Sequence, residues 1–314
     1  MVELEEKRFH TGEISINYAE GPSNGPPLVL VPPQGADWTN YQNSIPLLVD
    51  DFHVYVLDVR GHGKSDWTTG DYSFDSIGRD MTAFLEHVVQ ESAIISGNSS
   101  GGLIALWCAA NIPGDVRGII MEDPPLFSAE WPRIKEEYVY QVLQATVEMS
   151  RELTESRSVG GLARCFMKVK KPLPSGKMTS IPRSAAYLVS FLVRASQKLT
   201  GGSPSLPGRL GRVLEVLTTF DPDFSQAWLD GRIYEGLDHA EALRRAQRPM
   251  LLIQANWHRH PEYGLVGAMD DDDAAHAREV APDMCFKQID SEHVVHSYDP
   301  EAFVHIVREF ISHL

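Results

Sequence analysis

The segment from residue 93 to residue 110 constrains the fold more than any other part of the chain. It runs from a short apolar strand through the turn Gly97-Asn98-Ser99-Ser100-Gly101 into an apolar, helix-forming stretch. A serine at the centre of G-x-S-x-G, between a strand and a helix, is typical of a nucleophile elbow. Glycines flank the serine because side chains there would collide in so sharp a turn. The segment therefore predicts Ser99 as a nucleophile and the backbone N–H of Ser100 as an oxyanion donor.

A phosphate-binding loop also combines serine with glycine. Such a loop requires a lysine after its glycines, and this segment has none. The elbow is therefore the favoured interpretation.

Apolar strand patterns alternate with helical patterns along most of the chain. The predicted strands cover residues 9–18, interrupted by a turn, and residues 27–31, 54–58, 93–95, 116–121, 250–254 and 285–289. The predicted helices cover residues 41–49, 73–90, 103–110, 273–280 and 300–314. This alternation predicts an α/β fold with a mostly parallel sheet that helices cover on both faces.

From Phe127 to residue 248 the strand pattern disappears, and helical spacing is interrupted by stretches rich in Gly, Pro and Ser. We interpret residues 127–248 as a helical cap domain, inserted into a core made of residues 1–126 and 249–314. Aromatic side chains of the cap are candidates for lining a substrate pocket, although aromatics at helical spacing more often form a core. These candidates are Trp131, Tyr187, Phe191, Phe220 and Trp228.

The residues after the predicted strand 27–31 offer a second oxyanion donor. Pro32 and Pro33 have no backbone N–H, so Gln34 is the first residue there that can donate. Gly35, next in the chain, is expected to contact the substrate.

Two further motifs complete a resemblance to the α/β-hydrolase family. Residues 58–65 are similar to the family's D-x-R-G-x-G-x-S turn, and residues 292–300 resemble its histidine loop and the start of its last helix. In that pattern the catalytic histidine stands seven residues before a proline, which is the position of His293 here. The resemblance implies an α/β-hydrolase core with a Ser-His-acid triad, in which Ser99 and His293 are two members and His296 is a secondary histidine.

The acid of the triad departs from the family's commonest pattern. That pattern places an Asp a few residues past the strand that here ends at Gln254, and no carboxylate stands there. A minority of the family takes the acid from the end of the preceding strand, where this chain has Glu122 and Asp123 before a proline. Asp123 is the favoured candidate, and Asp270 and Glu122 stay open as alternatives.

The fungal lactonases that hydrolyse zearalenone belong to this minority, and the chain resembles them at several points. The chain and these lactonases share the sequence Val-Leu-Val-Pro at residues 29–32, the doubled serine Ser99-Ser100 and an acid 24 positions past the nucleophile. The chain departs from them in having Gln34 where they have Gly, and Asp123 where they have Glu. The resemblance implies a cofactor-free hydrolase of carboxylic esters that works through an acyl-enzyme, with a lactone as the favoured substrate.

Other functions on the same scaffold stay open. Carbon–carbon bond hydrolases and cofactor-free haloperoxidases or perhydrolases also use a serine, and a ligand-binding receptor could keep the same pocket. Epoxide hydrolases and haloalkane dehalogenases need an aspartate nucleophile, which Ser99 excludes. A metal site at His258, His260 and the acidic run 270–273 is disfavoured because their spacing matches no coordination pattern. We therefore expect neither a metal nor a cofactor.

The formal net charge is −15 at pH 7, from 43 acidic and 28 basic residues. This excess argues against nucleic acid and against an anionic membrane as partners, and favours a neutral, hydrophobic small molecule as substrate. The three cysteines are widely separated and odd in number, which is typical of a reduced, cytoplasmic protein. No signal peptide or membrane span is expected, because no stretch is long and apolar enough. A homo-oligomer is left open.

Overall fold

A computed structural model describes residues 4–156, 158–173, 177–202, 204 and 206–314, the side chains of residues 209 and 212 excepted. Its main sheet consists of β1 (Glu5–His10), β2 (Ser15–Glu20), β3 (Pro27–Val31), β4 (His53–Leu57), β5 (Ala93–Asn98), β6 (Val116–Glu122), β9 (Met250–Gln254) and β12 (Cys285–Gln288). The strand order is β1-β2-β4-β3-β5-β6-β9-β12. Pairing is antiparallel from β1 to β4 and parallel from β4 to β12. The predicted α/β class with a mostly parallel sheet is confirmed.

The α-helices are α1 (Ile45–Leu48), α2 (Phe74–Phe84), α3 (Ser100–Asn111), α4 (Tyr138–Thr154), α5 (Val159–Lys168), α6 (Arg183–Thr200), α7 (Gly208–Val216), α8 (Pro222–Asp230), α9 (His239–Arg245), α10 (Asp271–Val280), α11 (Val295–Tyr298) and α12 (Pro300–Ile311). Short 3-10 helices cover Trp38–Tyr41, Arg133–Glu136 and Arg232–Tyr234, and α2 continues into a π-helical turn at Leu85–Val89. None of the helices in the described ranges has both the length and the hydropathy that a membrane crossing needs.

The central strands carry continuous apolar runs because helices cover both of their faces. In β3, Val29 and Val31 face the core that includes α2 and α3, whereas Leu28 and Leu30 face the core that includes α1 and α12. The strands β5, β6 and β9 divide their side chains between the same two cores. Since residue polarity cannot alternate along such a strand, its uninterrupted apolar run is the sequence signal for a buried position.

The segment predicted to be a cap, residues 127–248, contains the helices α4 to α9. Residues of α4, α5, α6 and α7 share a small hydrophobic core of their own. The last helix of the segment, α9, packs against the elbow helix α3 and not against this small core. A short antiparallel pair, β7 (Lys171–Pro172) and β8 (Met178–Thr179), was not predicted, because two-residue strands leave no periodic signal.

The loop after β9 also contains more structure than its sequence predicts. Strands β10 (His258–His260) and β11 (Gly264–Val266) form a hairpin within it. Asp270 then caps α10, since its carboxylate accepts a hydrogen bond from the backbone N–H of Asp273 at 2.9 Å. The acidic residues 270–273 therefore form the N-cap and the first turn of α10, where negative charge stabilises a helix.

Candidate active site

Ser99 lies in the sharp turn between β5 and α3, in a backbone conformation that non-glycine residues rarely adopt, with φ 55° and ψ −120°. The flanking glycines are required sterically. A Cβ atom on Gly97 would lie 2.1 Å from the carbonyl oxygen of Gly101, and one on Gly101 would lie 2.2 Å from that of Val31. The turn therefore presents Ser99 at the carboxyl edge of the sheet, where it lines the large cavity described below.

His293 and Asp123 meet beside this turn. Asp123 follows β6 with φ 44° and is 1% exposed, and its Oδ2 lies 2.7 Å from Nδ1 of His293. Its Oδ1 accepts a hydrogen bond from the backbone N–H of Ala255 at 3.0 Å. The second hydrogen bond fixes the carboxylate, which in turn orients the imidazole ring. His293 lines the same cavity as Ser99.

The pKa of His293 results from opposing effects. Burial lowers it, but the hydrogen bond and charge of Asp123, together with the charge of Glu122, outweigh burial and raise the pKa above its ordinary value of 6.5. The imidazolium form, which a proton-accepting histidine must pass through, is therefore stabilised in place.

The other two candidate acids have different partners. Glu122 is fully buried and bonds His296, with Oε2 2.8 Å from Nδ1 of that ring. Nε2 of His296 lies 2.7 Å from Oδ1 of Asn40, and its ring stacks on Tyr41 with centroids 3.7 Å apart. The structure thus brings Asp123, and neither alternative, to His293. His296 lies beneath the site and does not line the cavity.

The predicted oxyanion donors are adjacent in space. The backbone N–H of Gln34 donates a hydrogen bond of 2.8 Å to Oγ of Ser100, so in this structure it is already engaged. Ser100 is the first residue of α3, and its own N–H has no acceptor within the helix. The Gln34 side chain donates to Oγ of Ser225 on α8 at 2.7 Å, which links the oxyanion loop to the cap.

The turn at residues 58–65 supports this loop. The carboxylate of Asp58 accepts hydrogen bonds from the backbone N–H groups of Trp38, at 2.7 Å, and Lys64, at 2.9 Å. His62 is 2% exposed and packs between Phe220 and Phe224 of the cap, with centroid distances of 4.7 and 4.6 Å. The motif therefore acts as a structural joint between the oxyanion loop and the cap.

A cavity of about 1290 Å³ extends from Ser99 into the cap. Of the residues predicted to bind substrate, Gln34, Gly35, Phe220 and Trp228 line it.

Three predicted pocket aromatics do not line the cavity. Trp131 is partly exposed and packs under the ammonium group of Lys135, whose Nζ lies 3.9 Å from its ring centroid. Tyr187 and Phe191 are on the exposed face of α6, because the opposite face of that helix packs against α5. Helical spacing shows that a helix has two faces, but not which one meets a cavity.

Most of the apolar lining escaped the sequence analysis, because its aliphatic residues look like ordinary core positions. They come from α4, the region of α7 and the β10–β11 hairpin, and include Val139, Leu143, Val216, Leu217 and Leu265. Trp257 also lines the cavity, and its position three residues past β9 was the available signal.

No group of three or more His, Cys, Asp or Glu is placed to hold a metal ion among the residues that the structure describes. In particular, His258 and His260 belong to β10. The carboxylate of Asp270 instead accepts a hydrogen bond from the guanidinium group of Arg259.

A sequence model described as alpha/beta hydrolase fold matches residues 26–201. Among curated proteins, 3-oxoadipate enol-lactonase 2 of Acinetobacter baylyi is 32% identical over 110 residues, which are 35% of this chain and 41% of that protein. The aligned region thus spans about two fifths of that relative's length.

Solved structures match over nearly the whole chain. The enol-lactonase from Burkholderia xenovorans LB400 has a TM-score of 0.66 at 16% identity, and covers 98% of this chain and 100% of its own. E-2-(acetamidomethylene)succinate hydrolase has a TM-score of 0.65 at 19% identity, with 99% and 100% covered. At these identities the similarity establishes the fold alone.

Proposed function

The chain belongs to the alpha/beta hydrolase fold family, and we propose that it is a serine hydrolase that cleaves the carboxylic ester bond of a neutral, hydrophobic substrate, with lactones as the favoured class. The main support is the position of His293. Its Nδ1 lies at hydrogen-bonding distance, 2.7 Å, from Oδ2 of the buried Asp123, and the residue lines the same cavity as Ser99. A nucleophile, a base and an orienting acid at one cavity are the parts that acyl transfer needs.

In the proposed reaction, Oγ of Ser99 attacks the carbonyl carbon while Nε2 of His293 accepts its proton. Asp123 holds the proton on Nδ1 and stabilises the imidazolium that forms. As the tetrahedral intermediate collapses, His293 returns the proton to the leaving oxygen. In a lactone this oxygen stays attached to the acyl group as an alcohol. Water, deprotonated by His293, then hydrolyses the acyl-enzyme and restores Ser99.

The oxyanion is stabilised by the backbone N–H groups of Ser100 and Gln34. The N–H of Gln34 bonds Oγ of Ser100 in the present structure, so substrate binding must exchange this acceptor for the carbonyl oxygen. Hydrogen bonds of this kind commonly tighten only when substrate is bound. The exchange loses no hydrogen bond at Gln34 and leaves the Ser100 hydroxyl free to turn.

The charge of the cavity favours a neutral substrate. Arg259 is the one Lys or Arg among the described residues that line it, and Asp270 bonds its guanidinium group. The carboxylate of Glu137 lies 3.9 Å from the same group. A substrate carboxylate would have to displace Asp270 from Arg259, and would also face the acidic side chains of Glu137 and Glu292 in the lining.

The size and the lining of the cavity favour a bulky ring, and a macrolactone such as zearalenone fits this description. A volume of about 1290 Å³ exceeds the roughly 300–1,000 Å³ of ordinary small-molecule pockets. A carbon–carbon bond hydrolase is less favoured, because its ring-cleavage substrates carry a carboxylate that needs a free cation. A receptor would bind ligand without turning it over.

The test compares two p-nitrophenyl esters that differ in one charge, the monoester of adipic acid and the corresponding methyl adipate. We expect kcat/KM to be at least roughly tenfold higher for the neutral ester. Asp270→Asn, which releases Arg259, should raise the rate for the charged ester more than for the neutral one. A preference of the parent for the charged ester would contradict the proposal. Absence of turnover with aryl esters, simple lactones and zearalenone alike would favour a receptor.

A further inference from the structure

The charge of the chain is distributed very unevenly. Residues 156–214, in the middle of the cap, contain eleven Lys and Arg and no Asp or Glu. The rest of the chain holds the remaining 17 basic residues and all 43 acidic ones. The net charge of −15, which argues against an anionic membrane, therefore averages over a basic segment and a strongly acidic body.

The cations of this segment are largely available. Arg164, Lys171, Lys177, Arg183 and Lys198 are exposed, and none has an acidic partner within the described part of the chain. Two others are paired, Lys168 with Glu148 and Arg194 with Glu152. Five of the eight cations whose side chains the structure describes in this segment therefore face solvent without an acidic partner.

The same segment exposes apolar side chains to an unusual degree. Of the twelve large hydrophobic side chains that are exposed in the described structure, eight lie between residues 156 and 214. On α6, Leu188 and Phe191 are each 60% exposed, and Leu199 is 88% exposed. The opposite face of α6, with Ala186, Ser190, Val193 and Gln197, is buried. The helix thus packs on the cap through one face and presents an apolar face outward.

An 18-residue helix with an aliphatic and aromatic outer face, in a segment rich in Lys and Arg, has the features of helices that lie in a membrane interface. Acidic lipid head groups would attract the cations, and the apolar side chains would enter the boundary of the acyl chains. A folded domain that exposes such a face to water carries a cost that a lipid surface would relieve.

Exposed side chains of the basic segment also contribute to the cavity. Leu173 and Val213, both within the basic segment, are exposed and also line the cavity. Val142 on α4 has the same two properties. A hydrophobic molecule dissolved in a lipid layer would reach the cavity through these side chains without crossing water.

We propose that the basic segment 156–214, with the outer face of α6, docks the protein onto an anionic lipid surface. The acidic body of the chain is repelled by the same surface, which orients the cap towards the lipid. This docking is independent of the catalytic assignment of Ser99, His293 and Asp123.

The test measures co-sedimentation of the full chain with vesicles of phosphatidylcholine alone, or of equal parts of phosphatidylcholine and phosphatidylglycerol. We expect binding to the anionic vesicles only, weakening as salt screens the charges. Lys171→Glu, Arg183→Glu and Lys198→Glu together should lower the affinity at least roughly tenfold. Leu188→Ser, Phe191→Ser and Leu199→Ser together should also lower it, and should do so even at low salt.

A matched control reverses three exposed cations that lie outside the basic segment, Arg117→Glu, Arg244→Glu and Arg278→Glu, with the same change in net charge. The affinity of this control for anionic vesicles should fall much less than that of the variant with Lys171→Glu, Arg183→Glu and Lys198→Glu. Equal losses in both variants, or no binding of the parent to anionic vesicles at low salt, would overturn the proposal. A different outcome is that the parent self-associates in sedimentation velocity while the variant with Leu188→Ser, Phe191→Ser and Leu199→Ser does not. In that case the surface is an interface between copies, and the lipid proposal is also overturned. Thermal unfolding of each variant controls for folding.

Discussion

Asp123 and His293 lie 170 positions apart in the chain, and the carboxylate of one is 2.7 Å from the imidazole of the other. Asp123 occupies a left-handed backbone conformation at the end of β6, with its second oxygen bonded to the N–H of Ala255. A carboxylate fixed at both oxygens cannot follow a moving ring, so it determines where the ring of His293 points. This relationship motivates the first prediction.

Asp123→Asn should lower turnover of the best ester or lactone by about four orders of magnitude, because the amide cannot hold the required tautomer of His293. Single-turnover and steady-state rates with a chromogenic ester measure the loss. Thermal unfolding is the folding control. A variant within tenfold of the parent would remove Asp123 from the triad.

Two matched substitutions separate this role from general effects of lost charge. Asp270→Asn and Glu122→Gln should each lose far less turnover than Asp123→Asn, since Asp270 bonds Arg259 and Glu122 bonds His296. Glu122→Gln is also expected to lower the free energy of unfolding, because it disturbs a fully buried pair.

Ser99→Ala should reduce turnover by several orders of magnitude, whereas Ser100→Ala should keep much of it. The Ser100 variant retains its backbone N–H and loses only the hydroxyl that accepts the Gln34 N–H. Formation of an acyl-enzyme, followed by mass spectrometry with a slow ester, provides a second readout. An inactive Ser100→Ala enzyme beside an active Ser99→Ala enzyme would reverse the elbow assignment.

The pH dependence of kcat/KM should report the titration of His293. The ring must be neutral to accept the proton of Ser99, and its pKa is raised above 6.5. Activity is therefore expected to fall as pH decreases, with a midpoint above pH 6.5. A profile that stays flat down to pH 5.5 would show that another group acts as base.

The sequence predicts the sheet and the elbow well because their signals are local. Apolar runs such as that of β3 can only be buried on both faces. A Cβ atom on either glycine that flanks Ser99 would lie 2.1–2.2 Å from a backbone oxygen, so both positions require glycine. The acid of the triad is harder to predict from the sequence, because Glu122 and Asp123 are neighbours in the chain. Glu122 contacts His296 and Asp123 contacts His293, and both histidines belong to the same loop. Only the three-dimensional arrangement distinguishes the two pairs.

The cap is where sequence reasoning reaches its limit. Trp228 and Phe191 are both aromatics on helices, yet the first is 3% exposed and lines the cavity, whereas the second is 60% exposed. Periodicity identifies the two faces of a helix, but the partner of each face depends on helices that are distant in sequence. The uneven charge of residues 156–214 is also visible in the sequence, although its exposure is not.

Trp228→Phe and Phe220→Leu should change the ratio of kcat/KM between a large lactone and a small aryl ester, because both side chains line the cavity. Tyr187→Leu and Phe191→Leu should leave that ratio unchanged, since they lie on the outer face of α6. A ratio is independent of the amount of folded enzyme, so it separates lining from stability. Equal behaviour of the two pairs would refute the assignment of the lining.

The last prediction concerns stability against acid. His239 is fully buried, and its Nδ1 accepts a hydrogen bond of 2.9 Å from the backbone N–H of Phe127, which requires that nitrogen to be unprotonated. Burial lowers the pKa of His239 to about 4, and burial lowers that of His62 to about 4 as well. An unfolded histidine accepts a proton near pH 6.5, so between about pH 6.5 and 4 the unfolded state binds more protons than the folded state. The free energy of unfolding is therefore expected to fall as pH decreases through this window, by roughly 2–3 kcal/mol per histidine.

Asp58 titrates in the opposite sense, since burial raises its pKa to about 6, and it would mask part of this slope. A comparison with His239→Asn cancels that contribution, because both proteins keep Asp58. Asparagine can still accept the Phe127 N–H but does not titrate. Urea unfolding of the two proteins at a series of pH values should show a shallower fall for the variant, by about one proton at the steepest point. Parallel curves across the whole window would mean that His239 is protonated equally in both states, and that its buried, neutral form does not contribute to the acid lability of the fold.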